Sequence, residues 1–286
     1  MIKINALSPQ EHPYLKILSS IAKCPDTLHF VGTLPAERQV TLAVVGTRKP
    51  TTYGKEVTSR IVAELAQKGV VIVSGLALGI DAIAHGAALE AHGTTIAVLA
   101  NALPAIRPLT NRSLGERIIA QGGAIIAEHA TDEKFGPWSF LERNRLVAGI
   151  SDAVLITEAS AKSGTLNTAM HALEQGKDVF VVPGNITSPL SAGCNALIKQ
   201  GAHPVTCSDD ILEILAPELL SAPAHQILTY SPTERLIIEQ LQNGVHDGEL
   251  IQRQTGLDAA SLSTALSMLE VNGTIRSLGA NQWTIY

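Results

Sequence analysis

The chain has three cysteines in 286 residues, Cys24, Cys194 and Cys207, and no two of them form a C-x-x-C pair. An odd, scattered set excludes a disulfide framework and a structural zinc site, so small reduced side chains are expected. Histidine adds no metal signature, because His85, His171 and His203 lie far apart and lack ligand spacing. No metal and no organic cofactor is therefore expected. Aromatic residues make up 3% of the chain while Ala, Val, Ile and Gly abound, a balance that suits α/β layers better than an all-β sandwich. Basic residues are outnumbered, with a net charge of −5, so any nucleic-acid-binding face has to be a local basic patch. Long apolar runs are missing too: Asp81, Glu128, Asp152 or Glu158 interrupts each candidate, and Met1 to Lys16 lacks a basic start followed by an apolar stretch. Neither export nor membrane insertion is indicated, and the expected location is the cytoplasm. There is no Walker G-x-x-x-x-G-K-[ST] and no G-x-S-x-G, so nucleotide hydrolysis and serine-ester chemistry lack their usual apparatus. No catalytic residue is assigned.

What is present between Thr41 and Thr206 is an alternation of short apolar runs with longer amphipathic stretches. The runs are Thr41–Val45, Val70–Val73, Thr94–Leu99, Ala124–Ala127, Ala153–Thr157 and Asp178–Val182. Rich in Val and Ile and without clean polar alternation, they read as strands covered on both faces. Gly54–Lys68, Asp81–His92, Asn111–Gln121 and Gly164–Gln175 are long enough for crossover helices, with Gly69, Gly93, Gly122 and Gly176 at C-cap positions. The expected fold is α/β, an extended Rossmann-like, doubly wound, mostly parallel sheet over residues 41–215. Residues 1–40, punctuated by Pro13, Pro25 and Pro35 around a weakly helical Tyr14–Ile21, are expected to form an arm on the sheet edge. Residues 216–230 have linker composition. Residues 231–286 read as three helices and a hairpin, the order of a small winged helix, opened by the capping pattern Ser231-Pro232-Thr233-Glu234.

The segment Ser74-Gly75-Leu76-Ala77-Leu78-Gly79-Ile80-Asp81 follows a strand and opens a helix. Free N–H groups and the helix dipole make such a turn a natural seat for phosphate. The first strand ends in Gly46-Thr47-Arg48-Lys49, which is not G-x-G-x-x-G, because Arg48 stands where a second glycine would let backbone approach a pyrophosphate. Arg48 is either a phosphate contact at the carboxyl edge of the sheet or an exposed surface arginine. Arg143-Asn144-Arg145 offers two guanidiniums and an amide for phosphate. On a helix the two arginines face different ways, so one of them is expected to pair with a carboxylate such as Glu128 or Glu158. Lys162, Ser163, Gly164, Thr165 and Asn167 form another strand-to-helix turn with hydroxyls and N–H groups. Gly184 and Asn195 repeat the arrangement after the next strand. His85, one turn after Asp81, is expected to be its local structural partner.

These motifs, in this order, together with Pro183-Gly184 and Asn195-Ala196-Leu197-Ile198, resemble the DNA-processing protein A (DprA/Smf) family over Tyr14 to Leu215. The resemblance implies a core that binds single-stranded DNA, dimerises, and loads the recombinase RecA in natural transformation. It places ssDNA contacts at Gly46, Arg48, Ser74, Gly75, Arg143, Asn144, Arg145, Lys162, Ser163, Gly164, Thr165, Asn167, Gly184 and Asn195. The pattern departs from the family's at Leu141, where a proline commonly precedes the R-N-R run, at Ile106-Arg107-Pro108, which replaces a Tyr-Pro turn, and at Asn167, which replaces an isoleucine. The helical domain that usually precedes the core has no expected counterpart in residues 1–40. A competing reading is a phosphoribohydrolase-like enzyme on a comparable fold, but its P-G-G-x-G-T-x-x-E run requires a glutamate where this chain has Thr168.

Residues 231–286 carry three arginines, Arg235, Arg253 and Arg276, against six carboxylates, a net charge of −3, and the presumed recognition helix Asp258–Asn272 has no Lys or Arg. A duplex-reading helix needs a basic footprint. Deleting the residues after Tyr230 is therefore expected to leave ssDNA affinity within about threefold, ~0.65 kcal/mol. A folded, truncated core that binds ssDNA much more weakly would overturn that expectation.

Overall fold

Apolar runs without alternation can be solvated on neither face, and in the structure they become the centre of one sheet. Its nine strands are β1 Asn5–Leu7, β2 Leu28–Gly32, β3 Thr41–Val45, β4 Val71–Ser74, β5 Thr95–Leu99, β6 Ala124–Ala127, β7 Ala153–Ile156, β8 Asp178–Val181 and β9 His203–Pro204, in the order β1-β2-β6-β5-β4-β3-β7-β8-β9. Every residue of β3 to β7 is buried. From β6 across to β9 all neighbours are parallel. The helices of this unit are α1 Thr52–Gln67, α2 Ile80–Glu90, α3 Arg112–Ala120, α4 Pro137–Ile150, α5 Thr165–Glu174, α6 Ala192–Lys199 and α7 Ser208–Leu215. Ile61, Leu65, Ile80, Ala84 and Leu212 of α1, α2 and α7 cover one face of the sheet. Leu146, Ile150, Ala169 and Leu197 of α4, α5 and α6 cover the other. This is a doubly wound α/β fold.

The computed structural model describes residues 3–131, 135–220, 231–271, 274–279 and 281–285. They divide into two compact units, Met1–Leu220 and Ser221–Tyr286. Among the described residues no helix is long and apolar enough to cross a membrane.

The first forty residues differ from the expected arm. β1 and β2 extend the sheet antiparallel beyond β6, and Tyr14, Leu15, Leu18 and Ile21 are built into the core beneath α4. Pro25 and Pro35 flank β2 from outside its ends, where a missing N–H ends the ladder without preventing it. Tyr14–Ile21 is a 3-10 turn, Lys16–Ser20, in place of a helix. Tyr14 is fixed by its hydroxyl 2.9 Å from Thr41 Oγ1 and by Arg38 over its ring, and Arg38 in turn pairs with Asp152 at 2.5 Å.

In the second unit, α8 Pro232–Gln242, α9 Gly248–Thr255 and α10 Ala259–Val271 pack around Ile237, Leu241, Ile251, Leu266 and Leu269, and β10 Ile275–Gly279 pairs antiparallel with β11 Gln282–Ile285. The capping box is formed: Ser231 Oγ accepts from Glu234 N, and Ser231 N donates to Glu234 Oε2. Of the expected linker, Ala216 is buried and Pro217–Leu219 form a 3-10 turn. Residues 221–230 lie outside the described residues.

His85 sits on the buried side of α2 and does not pair with Asp81. Its Nδ1 lies 2.7 Å from Thr95 Oγ1, which donates to Ile72 O. Thr95 has given its proton to a carbonyl, so Nδ1 is the donor and the ring is the neutral Nδ1–H tautomer. Burial, reinforced by Arg143, pushes the His85 pKa down to about 3. A group with a folded pKa below its unfolded value destabilises the fold as pH falls through the unfolded value, near 6.5, and continues to do so down to about 3. The core is expected to lose ~2 kcal/mol through this residue between pH 7 and pH 5. Urea unfolding of wild type and His85→Gln at both pH values checks this, and equal losses in the two proteins would remove His85 as the cause.

Candidate nucleic-acid interface

The strand order reverses between β3 and β7. β3 leads through α1 to β4 on one side, while β7 leads through α5 to β8 on the other. Loops leaving the carboxyl ends of β3 and β7 must therefore diverge, and a crevice opens between them. The loop after β3 is pinned from both sides. Thr47 N donates to Glu158 O at 2.8 Å, and the Glu158 carboxylate accepts Thr51 N at 2.9 Å and Thr51 Oγ1 at 2.7 Å. On the opposite side Ile80 N donates to Thr47 O at 3.1 Å. This close approach needs Gly79, whose φ is +81° and where a Cβ would stand 2.3 Å from Thr47 O. Arg48 is thereby held outward, exposed, with its guanidinium 5.3 Å from the centre of the Phe140 ring.

The crevice holds a hollow of about 210 Å³ lined by Gly46, Thr47, Arg48, Ala77, Asp81, Phe140, Arg143, Asn144, Ser163, Gly164, Thr165 and Thr168, among others. At its base is Arg143, 7% exposed. Its Nη1 donates to Gly75 O at 2.7 Å and to Val98 O, while its buried Nε has no partner. A Cβ on residue 75 would lie 2.3 Å from this guanidinium and would have to push it off its carbonyl partners. Asp81 is the carboxylate facing it. Burial raises the Asp81 pKa and lowers that of Arg143, and their mutual attraction opposes both shifts.

The structure brings seven of the sequence-derived residues to this hollow: Gly46, Arg48, Arg143, Asn144, Ser163, Gly164 and Thr165. The others lie elsewhere, each for a physical reason. Ser74 is fully buried and donates to Val44 O at 2.6 Å. Gly75 N and Ala77 N donate to Asp81 Oδ2 at 3.1 and 3.3 Å, so the turn read as a phosphate seat is already held by the carboxylate of its own helix. Arg145 pairs with Glu128 at 2.5 Å, and it lines a separate hollow of about 580 Å³ with Leu141, Glu142, Asn167 and His171. Glu158, the other carboxylate considered for an arginine, holds Thr51 instead. Asn167 accepts from Asn144 Nδ2 at 3.2 Å across the wall between the hollows. Lys162 is exposed beside Ser163 but outside the lining. Gly184 and Asn195 form a reciprocal pair, Gly184 N to Asn195 Oδ1 at 3.2 Å and Asn195 Nδ2 to Gly184 O at 3.0 Å.

Sequence reasoning missed Thr47, Asp81, Phe140 and Thr168. Helical spacing held one signal: positions 140, 143 and 144 share a face of α4 that position 145 does not, and the structure places Phe140, Arg143 and Asn144 at this hollow and Arg145 at the other, with Leu141 bordering both.

The sequence model for DNA recombination-mediator protein A matches residues 5–216, and that for the DprA winged helix domain matches residues 216–281. Protein Smf of Escherichia coli (strain K12) is 39% identical over 262 residues, covering 89% of this chain and 70% of its own. DNA processing protein DprA of Bacillus subtilis (strain 168) is 39% identical over 210 residues, 73% of this chain and 70% of its own. The X-ray structure of DNA processing protein A from Streptococcus pneumoniae superposes with a TM-score of 0.69 at 36% identity, covering 74% of this chain and 75% of that one. The Helicobacter pylori protein of the same name, described for its single-stranded DNA binding mode, gives 0.66 at 34% identity, covering 76% of this chain and 97% of that one. With a doubly wound core and a winged helix in the order these matches require, the chain belongs to the DNA recombination-mediator protein A (DprA/Smf) family.

Proposed function

We propose that this protein is a single-stranded DNA-binding recombination mediator that holds ssDNA in the crevice between the β3 and β7 loops and loads RecA onto it in natural transformation. The observation that carries the reading is the outward Arg48 guanidinium, fixed over Phe140 at the rim of a small polar hollow. Arg48 neutralises a backbone phosphate. The ring edge beneath it and the hydroxyls of Thr47, Ser163 and Thr165 receive the sugar and the neighbouring base. Gly164 and Asn144 add donors at the same rim, and Lys162 adds a nearby point charge. Arg143 acts from below, as the fixed floor of the site. A hollow of about 210 Å³ has no room for a base pair, and paired bases offer no free faces for stacking, so a single strand is preferred over a duplex. Delivery to RecA and action as a homodimer are supported by family membership.

A binding role is favoured over an enzymatic one. Thr168 occupies the position of the phosphoribohydrolase glutamate, is 1% exposed and lines the hollow. Asp81, the carboxylate in the lining, already accepts two backbone N–H groups. No nucleotide turnover is expected. Release of free base from a nucleoside monophosphate, lost on changing Ser163–Thr165, would overturn this.

Arg48→Ala is expected to weaken ssDNA binding about tenfold at every sequence, ~1.4 kcal/mol. The slope of log affinity against log salt should fall by about 0.7, the value for one phosphate contact on a single strand. Arg145→Ala is expected to leave ssDNA affinity unchanged while lowering core stability by ~2 kcal/mol, because it strands Glu128. Salt titrations by fluorescence anisotropy and urea unfolding check the pair. An Arg48→Ala protein that binds like wild type at several salt concentrations would sink the assignment.

A further inference from the structure

Two asparagines span the wall between the two hollows of α4. Asn144 lines the hollow at the strand reversal, and Asn167 of α5 lines the neighbouring one. Asn144 Nδ2 donates to Asn167 Oδ1 at 3.2 Å, and Asn144 Oδ1 has no partner among the described residues. The helices themselves are joined elsewhere. Gln175 Nε2 donates to Arg145 O at 3.2 Å, and Lys177 Nζ, just past α5, donates to Ala148 O at 2.7 Å and Gly149 O at 2.8 Å near the end of α4. With Leu146 and Ala169 also packed in one core, α4 and α5 do not need the asparagine pair to stay in place. A carboxamide carries its carbonyl and amino group in one plane, and a half-turn exchanges them. An unrestrained asparagine therefore offers a base an acceptor or a donor at the same point. Asn144 has lost that choice, because its amino group is committed to Asn167.

We infer that Asn167 is a positioning residue for single-strand recognition: by taking an N–H of Asn144, it fixes Asn144 Oδ1 toward the first hollow as an acceptor for the amino group of an unpaired base. The inference rests on the reading of that hollow as the ssDNA site and deepens it by one element of base selectivity. Arg48 at the rim is a donor and suits phosphate, whereas a base amino group needs an acceptor. Asp81, the carboxylate of the lining, already accepts Gly75 N and Ala77 N. Asn144 Oδ1 fills that need, with the second N–H of the same amide left beside it. Cytosine presents an amino donor where uracil and thymine present a carbonyl. Against a fixed Oδ1 the amino group is bonded and the carbonyl repelled. Against a freely turning amide both kinds of base find a match, so selectivity depends on Asn167 although it does not touch the strand.

The test is fluorescence anisotropy of the full chain with fluorescein-labelled (dC)20 and (dU)20, whose bases differ by an amino group in place of a carbonyl. The readout is the ratio of the two affinities, in which phosphate contacts and overall charge cancel. Asn167→Leu should lower the preference for (dC)20 about fivefold, the worth of one hydrogen bond. Asn144→Ala should lower it by the same factor, and the double variant should match either single one. Asn167→Asp should keep the wild-type ratio while weakening both oligonucleotides alike, because a carboxylate only accepts, holds Asn144 in the same orientation and adds a negative charge. Arg48→Ala should weaken both and leave the ratio unchanged. Circular dichroism confirms that each variant is folded, and Asn167→Ala takes the place of Asn167→Leu if that protein is not. A wild-type ratio in Asn167→Leu, beside a weakened Arg48→Ala, would overturn the positioning role and leave the proposed function standing. A ratio lost in Asn167→Asp as fully as in Asn167→Leu would also overturn it, since any change at the position would then suffice. If Arg48→Ala binds both oligonucleotides normally, the reading of the hollow falls with it.

Discussion

The buried guanidinium of Arg143 is the constraint on which the site depends. A charge removed from water has to be met by carbonyls or an opposite charge, or it destabilises the fold by several kcal/mol. Arg143 meets that demand with Gly75 O at the end of β4, Val98 O in β5 and the facing carboxylate of Asp81 in α2. One side chain thereby fixes α4 against the carboxyl ends of two strands and the first turn of a helix. The consequences follow in order. A glycine at residue 75 leaves room for the guanidinium, Asp81 turns back on its own turn, and α4 presents Phe140 and Asn144 on the same face as Arg143.

The central sheet was legible because burial on both faces leaves a plain signature. The six runs expected as strands agree with the observed ones to within one residue at their ends. Parallel pairing and double winding followed from alternation with helix-length segments. The two N-terminal strands were not legible, since β2 reads Leu28-His29-Phe30-Val31-Gly32, in which Leu28 and Val31 are buried and the other three half-buried, a pattern that fits neither a two-sided nor a one-sided strand. Its partners lie far along the chain, with β6 about a hundred residues away, and a local pattern carries no such information.

The site was legible in outline and less so in detail, and the reason is competition for hydrogen bonds. The turn after β4 has the composition of an anion seat, yet its N–H groups are held by Asp81, an acceptor only six residues on. Gly184 and Asn195 likewise satisfy each other. Small polar turns look alike in sequence whether their donors face a ligand or a neighbour, and only packing decides. Helical geometry did decide one case in advance, that Arg143 and Arg145 could not act together. The carboxylate partner of Arg145 is Glu128, one of the two that the sequence offered.

The two arginines of the hollow show how position divides one chemistry into two roles. Arg143 is desolvated in the free protein, its Nη1 is bound to two carbonyls, and it carries no loosely held counterion to release. Its charge can orient the polar lining but contributes little to a salt-dependent equilibrium. Arg48 is exposed and, among the described residues, restrained by a ring face, so in the proposed role it would meet a phosphate with its solvent ions still exchangeable and with little rotamer freedom left to lose. The net acidic character of the chain sharpens this division. With no general positive field to attract polyanions, the proposed attraction would have to come from guanidiniums held outward by the fold, and a contact would depend on where the strand reversal and α4 place them.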